Sequence, residues 1–442
     1  MNSIAAKFRW VLRGQDSASA ALQTFLSKLI ILAVGLLTSI ITARYLGPDG
    51  RGEQAAIVLW VQFLAYMISF GLPVSLIYNL KRSPNNTSSL FSTAFLISFG
   101  LGMIAALIGV LGLPRWLEKY PPEVVQIAQW FMVGVPFTTA SGVMGATLEG
   151  RGEFRFANKV RTLPLIITLS MLVGLVSTNN LTPSTSALAY FLPNIVTFFW
   201  VLSHLWSIFR PSIQSLRSFS PPLLSYGIRS YGIDILVTLS VQIDQVLVVG
   251  LLIPASMGLY VVALSLSRTL GVIQQSIVMV LFPKIAARST AEVVETVGQA
   301  VRVGLVPIMI AAVSALLIGP NLIHLLYGAN FLEIVTVFRI LVVEVVLSGT
   351  VQILVQAFMA LERPGIVTLT QGIGLGLTAV AMMLFVPTYG LIGAGLALLC
   401  SSAMRLIFAI ACFPLVLKVA PPSLIFNRKD LQIFTQIMKR AR

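Results

Sequence analysis

The amino-acid sequence predicts an all-α integral membrane protein. We expect about twelve transmembrane helices in two pseudo-symmetric six-helix lobes around a central cavity, with both termini in the cytoplasm. Three observations predict this fold class: the composition is strongly apolar, long apolar stretches fill the chain, and short motifs recur between its halves. Hydrophobic residues make up 57% of the chain and charged residues 10%, and the mean hydropathy is +0.92. These values lie far outside the range of soluble globular proteins.

The apolar stretches have the length of membrane spans. Each span needs about 20 apolar residues to cross about 30 Å of hydrocarbon. The first stretch begins near Leu22 and is too long for a signal-peptide core, so we expect it to remain as an uncleaved span. In chain order, the predicted spans cover residues 22–43, 54–80, 90–113, 125–148, 157–177, 185–208, 227–252, 255–282, 301–320, 334–360, 365–386 and 391–417.

The basic residues predict the orientation of these spans. Of the 30 Lys and Arg residues, 22 fall before the first span, in or just beyond the even-numbered connections, or after the last span, and four fall in the odd-numbered connections. Lys and Arg are enriched on the cytoplasmic side of membrane proteins, which places both termini there. The net charge of +15 is then explained by this face and by anionic membrane lipids. We expect no nucleic-acid partner, because the sequence has no folded basic module to bind one.

Two short motifs recur between the halves of the chain. Residues 46–52 and 252–258 both read L-x-P-x-x-x-G, at an offset of 206 residues. Residues 148–152 and 361–365 both begin with Leu-Glu, at an offset of 213 residues. Two six-span halves of the same orientation, related by an axis along the membrane normal, would produce both matches. A cavity between the halves is then the expected substrate site.

These spans and repeats predict the domain organisation. We expect an interfacial cytoplasmic N-terminus over 1–21, an N-terminal six-helix lobe over 22–210, a cytoplasmic linker over 211–226, a C-terminal six-helix lobe over 227–418, and a basic cytoplasmic tail over 419–442.

Several motifs resemble one family of membrane proteins. Residues 43–53, ARYLGPDGRGE, followed by FGLP at 70–73, are similar to the first extracytoplasmic turn and second span of bacterial polysaccharide or oligosaccharide flippases. These proteins belong to the multidrug/oligosaccharidyl-lipid/polysaccharide exporter (MOP) superfamily. Further similar motifs are IDQ at 243–245, GLY at 258–260, LFP at 281–283 and YGLIGA at 389–394. The resemblance covers essentially the whole chain, and the order and spacing of the motifs carry it. Lipid II flippases of the same superfamily resemble the chain less, because they typically have fourteen spans.

The resemblance implies a transporter of the bacterial inner membrane. Its substrate would be an oligosaccharide linked to undecaprenyl pyrophosphate, carried across for O-antigen, capsule or exopolysaccharide assembly. Such flippases are thought to rock two lobes by alternating access, coupled to an ion gradient. The implied partners are the lipid-linked oligosaccharide and membrane lipids, with polysaccharide polymerase and export proteins as further candidates. No cofactor is expected, and proton and sodium coupling both remain open.

Charged groups inside the spans are the first candidates for function. Placing one charge in mid-bilayer costs roughly 2.5 to 3.5 kcal/mol, so each such group needs a partner or water. The intramembrane set is Lys28, Asp234, Asp244, Arg268, Arg339, Glu344 and Arg405. Polar residues accompany several of them at helical spacing, which is typical of faces that line a water-filled cavity.

The residue types predict three roles. Lys28 and Arg268 suit the pyrophosphate, since Lys offers a point charge and Arg a bidentate fork. The carboxylates Asp234, Asp244 and Glu344 are candidates for ion coupling. The glutamines suit the hydroxyl groups of a sugar chain, and the candidates are Gln62, Gln245, Gln275, Gln352 and Gln356.

Structural explanations stand beside these roles. Lys28 lies six residues into its predicted span, so it can instead extend to the cytoplasmic interface. Asp244 can be the structural partner of a lysine or arginine in its own lobe. Arg339 and Arg405 can lie nearer the interfaces than the predicted boundaries suggest.

Three other functions compete with a flippase. An exporter of small cationic drugs should have a cavity richer in carboxylates and aromatic residues, against which Lys28 and Arg268 argue. A membrane glycosyltransferase or polymerase would need a long outer loop with catalytic residues, and no outer connection here is longer than about fifteen residues. A passive scramblase or structural partner is not excluded by sequence. We therefore expect a protein that is not an enzyme; the sequence has no phosphate-binding loop and no Cys/His cluster for a metal.

Overall fold

The computed structural model describes residues 17–209, 216–286 and 288–424; the side chains of 17–28, 216–217, 233–234 and 237 lie outside the described part. The described residues form long α-helices joined by short turns. The helices are α1 Ser17–Met67, α2 Leu72–Arg82, α3 Thr87–Trp116, α4 Pro122–Phe131, α5 Gly134–Gly150, α6 Phe154–Ser177, α7 Pro183–Phe209, α8 Leu216–Leu251, α9 Pro254–Arg268, α10 Gly271–Ile285, α11 Thr290–Tyr327, α12 Val335–Ala360 and α13 Pro364–Cys412. Most of residues 1–21 and 419–442, predicted to form the N-terminus and tail, lie outside the described residues.

Length and composition mark this chain as a multi-pass membrane protein. Within the described residues, seven helical stretches are long and apolar enough to cross a membrane, or eight if the bent pair α9 and α10 is one span. Two of these stretches contain a sharp break, at Gly47 with φ 69° in α1 and at Gly390 with φ 56° in α13. Glycine adopts these positive φ angles without the steric cost of a Cβ atom. The count of twelve spans and the sides of the termini remain predictions.

The second predicted span is not one continuous helix. The sequence predicts a helix over 54–80, whereas α1 ends at Met67 and α2 begins at Leu72. Phe70 and Gly71 both have positive φ, at 44° and 65°, and this ends the helical path. Pro73 follows, and a proline is favoured in the first turn of a helix because its missing N–H is not needed there. The predicted span over 54–80 therefore contains a break, at the segment where Gly71 and Pro73 left packing contacts or a kink as alternatives.

The chain divides into two compact units. The first contains the described residues up to Thr238 together with Ile253–Gly258, and the second contains Leu239–Leu252 and the described residues from Leu259 onward. In the first unit, α3 packs on α5 and α1 packs on α6 and α7. In the second, α12 packs on α10, α11 and α13. The predicted lobe boundaries remain predictions.

Each unit has its own apolar core. The core of the first includes Phe91, Met144, Phe198 and Leu205, all buried. The core of the second includes Ile285, Val301, Phe358 and Phe413. Close packing of these side chains fixes the helices of each unit relative to one another. Polar side chains on the same helices are thereby held in place.

Candidate functional site

A buried ion pair lies within the second unit, between α8 and α9. Asp244 is 1% exposed, and its Oδ2 accepts hydrogen bonds from the Tyr260 hydroxyl at 2.8 Å and from Nη2 of Arg268 at 3.2 Å. Arg268 also donates from Nη2 to the carbonyl of Val241 at 3.3 Å. A buried carboxylate needs such partners, since taking one charge out of water costs several kcal/mol. The structure thus pairs Asp244 with an arginine of its own unit, the structural alternative that the sequence left open.

Both partners keep unused polar atoms. The Arg268 side chain is 42% exposed, and its Nε and Nη1 have no hydrogen-bond partner in the described part of the chain. Oδ1 of Asp244 is buried and also without a partner there. Arg268 ends α9, where the chain bends by 45° into α10. The pair can therefore offer donors to an anion and one carboxylate oxygen to a cation or proton.

A second polar cluster joins α12 to α13. Ser402 is fully buried; its Oγ donates to Oε1 of Glu344 at 2.6 Å and accepts a hydrogen bond from Nη2 of Arg405 at 2.8 Å. Arg405 reaches this position by lying across Gly374, where a Cβ atom would overlap its side chain. Nε of Arg405 is buried without a partner in the described part. The serine hydroxyl thus bridges the carboxylate of Glu344 and the guanidinium group of Arg405.

The two clusters influence each other electrostatically. Glu344 interacts with Arg405 and also with Arg268, and Tyr260 interacts with Asp244, Arg268 and Glu344. Together they contain two carboxylates and two guanidinium groups, so their formal charges balance.

Three of the residues predicted from sequence have side-chain partners in the two clusters. Asp244, Arg268 and Glu344 belong to the two clusters described above. Gln62 is exposed on α1 in the first unit. The other glutamines lie in the second unit: Gln275 and Gln352 are exposed, whereas Gln245 and Gln356 are partly buried. The side chains of Lys28 and Asp234 lie outside the described residues. Whether these residues line a cavity remains a prediction.

Sequence reasoning missed two residues that hold the clusters, Tyr260 and Ser402, and a buried glutamine close to one of them in sequence. Tyr260 lies within the GLY motif at 258–260 but was not assigned a role. Ser402 precedes Arg405 by three residues, a spacing that places both on one helix face and could have revealed it. Gln274 is 2% exposed and donates from Nε2 to the carbonyl of Val345 at 2.9 Å, beside Glu344. Of two consecutive glutamines, the sequence could not tell which one faces the core.

Family membership follows from a sequence match that covers most of the chain. The family model described as "Polysaccharide biosynthesis protein" matches residues 41–336. The chain belongs to this polysaccharide biosynthesis protein family. The matched range includes Asp244, Tyr260 and Arg268, and it ends before Glu344 and Ser402. A comparison with curated proteins found no match to this chain.

Solved structures show which fold this polysaccharide biosynthesis protein has. The lipid II flippase MurJ, in an inward closed conformation, is 15% identical, with a TM-score of 0.76 over 92% of this chain and 88% of that chain. An inward-facing MATE multidrug-resistance transporter of the MOP superfamily is 14% identical, with a TM-score of 0.66 over 88% of this chain and 96% of that chain.

A third similar structure extends this likeness. It is a MOP superfamily transporter from Pyrococcus furiosus, 14% identical, with a TM-score of 0.55 over 92% of this chain and 97% of that chain. The protein therefore has the MurJ- and MATE-like fold. Lipid II flippases were expected to resemble the chain less, because they typically have fourteen spans. The MurJ structure nevertheless matches 92% of this chain.

Proposed function

We propose that the protein is a flippase that moves a polyprenyl-pyrophosphate-linked oligosaccharide across the bacterial inner membrane for assembly of a cell-surface polysaccharide. Membership of the polysaccharide biosynthesis protein family supports the link to glycans. The fold shared with a lipid II flippase and with MATE transporters supports movement across a membrane by alternating access. Transport, rather than an enzymatic reaction, is the activity proposed.

The observation that carries the proposal is the partly exposed guanidinium of Arg268. Asp244 and the Val241 carbonyl both accept from Nη2 of this group. Among the described residues its Nε and Nη1 have no partner and remain available as donors. Pyrophosphate is a compact anion that accepts paired hydrogen bonds, for which an arginine is well suited. We propose that Arg268 binds the pyrophosphate, together with Lys28, and that Gln62, Gln245, Gln275, Gln352 and Gln356 bind sugar hydroxyl groups.

The charge balance around Arg268 supports ion coupling. An anion bound to Arg268 weakens the attraction between this arginine and Asp244, and so leaves the buried carboxylate less compensated. A proton or sodium ion then binds more readily to Asp244, or to Glu344, whose charge also interacts with Arg268. Substrate and ion thereby favour each other's binding, and reciprocity is required of any such coupling. Asp234 remains a further coupling candidate.

The test is translocation in proteoliposomes. We would measure movement of a fluorescent polyprenyl-pyrophosphate oligosaccharide, with and without a pH or sodium gradient, for the wild type, Arg268→Gln and Lys28→Ala. Loss of a charge-assisted hydrogen bond is worth about 1.5–3 kcal/mol, so the apparent KM of Arg268→Gln should rise about 10-fold or more. Lys284→Gln is the matched control, since Lys284 is an exposed cation at the end of α10.

The outcomes separate the competing functions. Gradient-driven movement by the wild type, with a raised apparent KM for Arg268→Gln protein that remains folded and no change for Lys284→Gln, supports the proposal. Movement at the same rate with and without each gradient would indicate a passive scramblase instead of an ion-coupled flippase. Absence of movement for several glycans, combined with gradient-driven efflux of a cationic dye, would replace it with a drug exporter.

A further inference from the structure

A pair of stacked tyrosines lies in the first unit, on the surface where α2 meets α8. The rings of Tyr78 and Tyr226 are 4.1 Å apart between centroids and inclined by 10°. Arg82 donates from Nη1 to the Tyr78 hydroxyl at 3.2 Å. Arg229, one turn after Tyr226, donates from Nη2 to Oγ of Ser225 at 2.5 Å and from Nε to its carbonyl at 3.2 Å. We call Tyr78, Tyr226, Arg82 and Arg229 the tyrosine platform.

Buried contacts beneath the platform hold the two helices together. Leu72, Leu76 and Leu80 of α2 form one apolar cluster with Leu223 of α8. The Ser75 hydroxyl donates to the Leu223 carbonyl at 2.7 Å. The backbones also approach closely one level away, since a Cβ atom on Gly71 would lie 2.5 Å from the carbonyl oxygen of Gly227. The platform therefore stands on a fixed helix pair and not on a loop.

The opposite face of α2 is accessible and becomes basic toward its end. Val74 and Tyr78, one turn apart, are each 40% exposed, and Lys81 and Arg82 are exposed in the last turn of the same helix. Exposed tyrosine, lysine and arginine suit the last turns of α2 to water or lipid headgroups. Its basic end lies on the side that the distribution of Lys and Arg predicts to be cytoplasmic.

Within the described residues, neither Arg82 nor Arg229 forms a salt bridge with a carboxylate; each donates only to neutral oxygen atoms. Arg82 contacts the hydroxyl group of Tyr78, and Arg229 lies one helical turn from Tyr226, so each ring of the stacked pair is accompanied by an arginine of its own helix. The cations can bind an anionic group, and the ring can stack on the apolar face of a sugar.

We propose that the tyrosine platform is a docking site for the pyrophosphate and the first sugar of the lipid-linked oligosaccharide on the cytoplasmic side, separate from the Arg268 site. This inference rests on the proposed function, because it takes its ligand from it. Arg82 and Arg229 bind the pyrophosphate, and Tyr78 stacks on the sugar next to it. The tyrosine distinguishes this ligand from an anionic phospholipid, whose phosphate would use the arginines alone.

Equilibrium binding in detergent tests the platform without any transport step. The probes are farnesyl pyrophosphate and farnesyl-pyrophosphate-linked N-acetylglucosamine. They are titrated against the full chain carrying Asp244→Asn and Arg268→Gln, which removes the Arg268 site; this protein with its platform unchanged serves as the wild type in the binding comparison, and the platform variants are made in it. The double variant Arg82→Gln with Arg229→Gln should weaken both probes about 10-fold or more, as expected for lost charge-assisted hydrogen bonds. Tyr78→Leu should weaken only the sugar-bearing probe, and Tyr78→Phe, which keeps the ring, should bind it as the wild type does. Lys81→Gln is the control for general loss of positive charge.

Each alternative result overturns the platform. The proposal is refuted if the wild type binds neither probe, if Lys81→Gln weakens binding as much as the double variant does, or if Tyr78→Leu and Tyr78→Phe behave alike. It is also refuted if phosphatidylglycerol displaces both probes equally well, because the site would then be a phospholipid site.

The platform and the proposed function fail separately. A wild type that binds the probes through the platform but translocates no glycan refutes the function only. A double variant that translocates with unchanged apparent KM refutes the platform only.

Discussion

Gly52 and Gly258 occupy equivalent positions in the two recurring turns, and each lies against the backbone of the other turn. A Cβ atom on Gly52 would overlap the carbonyl oxygen of Pro254 and lie 3.0 Å from the amide nitrogen of Gly258. A Cβ atom on Gly258 would overlap the carbonyl oxygen of Pro48 and lie 2.9 Å from the amide nitrogen of Gly52. The contacting residues Pro48, Gly52, Pro254 and Gly258 all belong to the first unit. The contact is reciprocal, as expected where two equivalent elements meet across an approximate two-fold axis.

Substitution of either glycine by alanine should destabilise the protein. The overlapping atoms are backbone atoms and cannot move aside as a flexible side chain would, so Gly52→Ala or Gly258→Ala should cost about 1–3 kcal/mol. The midpoint of thermal unfolding in detergent measures this. Gly100→Ala is the control, because a Cβ atom there meets nothing within 4 Å. Equal midpoints for all three variants would contradict the close contact.

Loss of Arg268 should destabilise the second unit more than loss of Asp244. Arg268→Gln leaves a carboxylate that is 1% exposed without its cation, whereas Asp244→Asn leaves an arginine that is 42% exposed and still hydrated. Removing one partner of a buried pair typically costs about 3–5 kcal/mol, and an exposed charge costs far less. Thermal unfolding of both single variants and of the double variant gives the comparison. The double variant should be more stable than Arg268→Gln alone, and the reverse order of the two single variants would exclude this explanation.

Gly349 should be replaceable only when Gln274 is also changed. A Cβ atom on Gly349 would overlap the carboxamide of Gln274, which lies across this glycine to reach the Val345 carbonyl. Gly349→Ala should therefore displace Gln274, break that hydrogen bond and cost about 1–3 kcal/mol. Adding Gln274→Ala should recover part of the loss by removing the overlap. If the double variant loses more free energy of unfolding than the two single variants lose together, the overlap is not the cause.

Glu153 should make stability depend on pH on the acid side. It lies in the turn between α5 and α6; burial opposes ionisation there, but hydrogen bonds from Arg151 and His204 outweigh it and lower the pKa of Glu153 below its ordinary value of 4.5. A carboxylate whose pKa is lower in the folded state stabilises that state above the ordinary pKa, and the gain is lost as pH falls through the folded-state pKa. Thermal midpoints from about pH 6 to about pH 3.5 should therefore fall more steeply for the wild type than for Glu153→Gln. Parallel curves for the two proteins would show that Glu153 contributes nothing.

The candidate site was predictable in its residue types and not in its partnerships. Asp244, Arg268 and Glu344 stood out because charges are rare within apolar spans. Their hydrogen bonds to Tyr260 and Ser402 were not predictable, because those contacts join different helices and depend on how the helices are rotated. The same limit explains why the sequence did not show that Gln274 is buried and that its neighbour Gln275 is exposed.

The sequence by itself determined the fold class, the membrane location and the recurrence of the two proline-glycine turns, because composition and motif spacing are properties of the chain alone. Only the tertiary structure decided that the second predicted span breaks at Phe70 and Gly71, that Asp244 pairs with Arg268, and that Tyr78 stacks on Tyr226. The physical reason is that apolar length reports transfer into lipid, a sum over residues. Pairing instead requires the relative position of helices far apart in sequence.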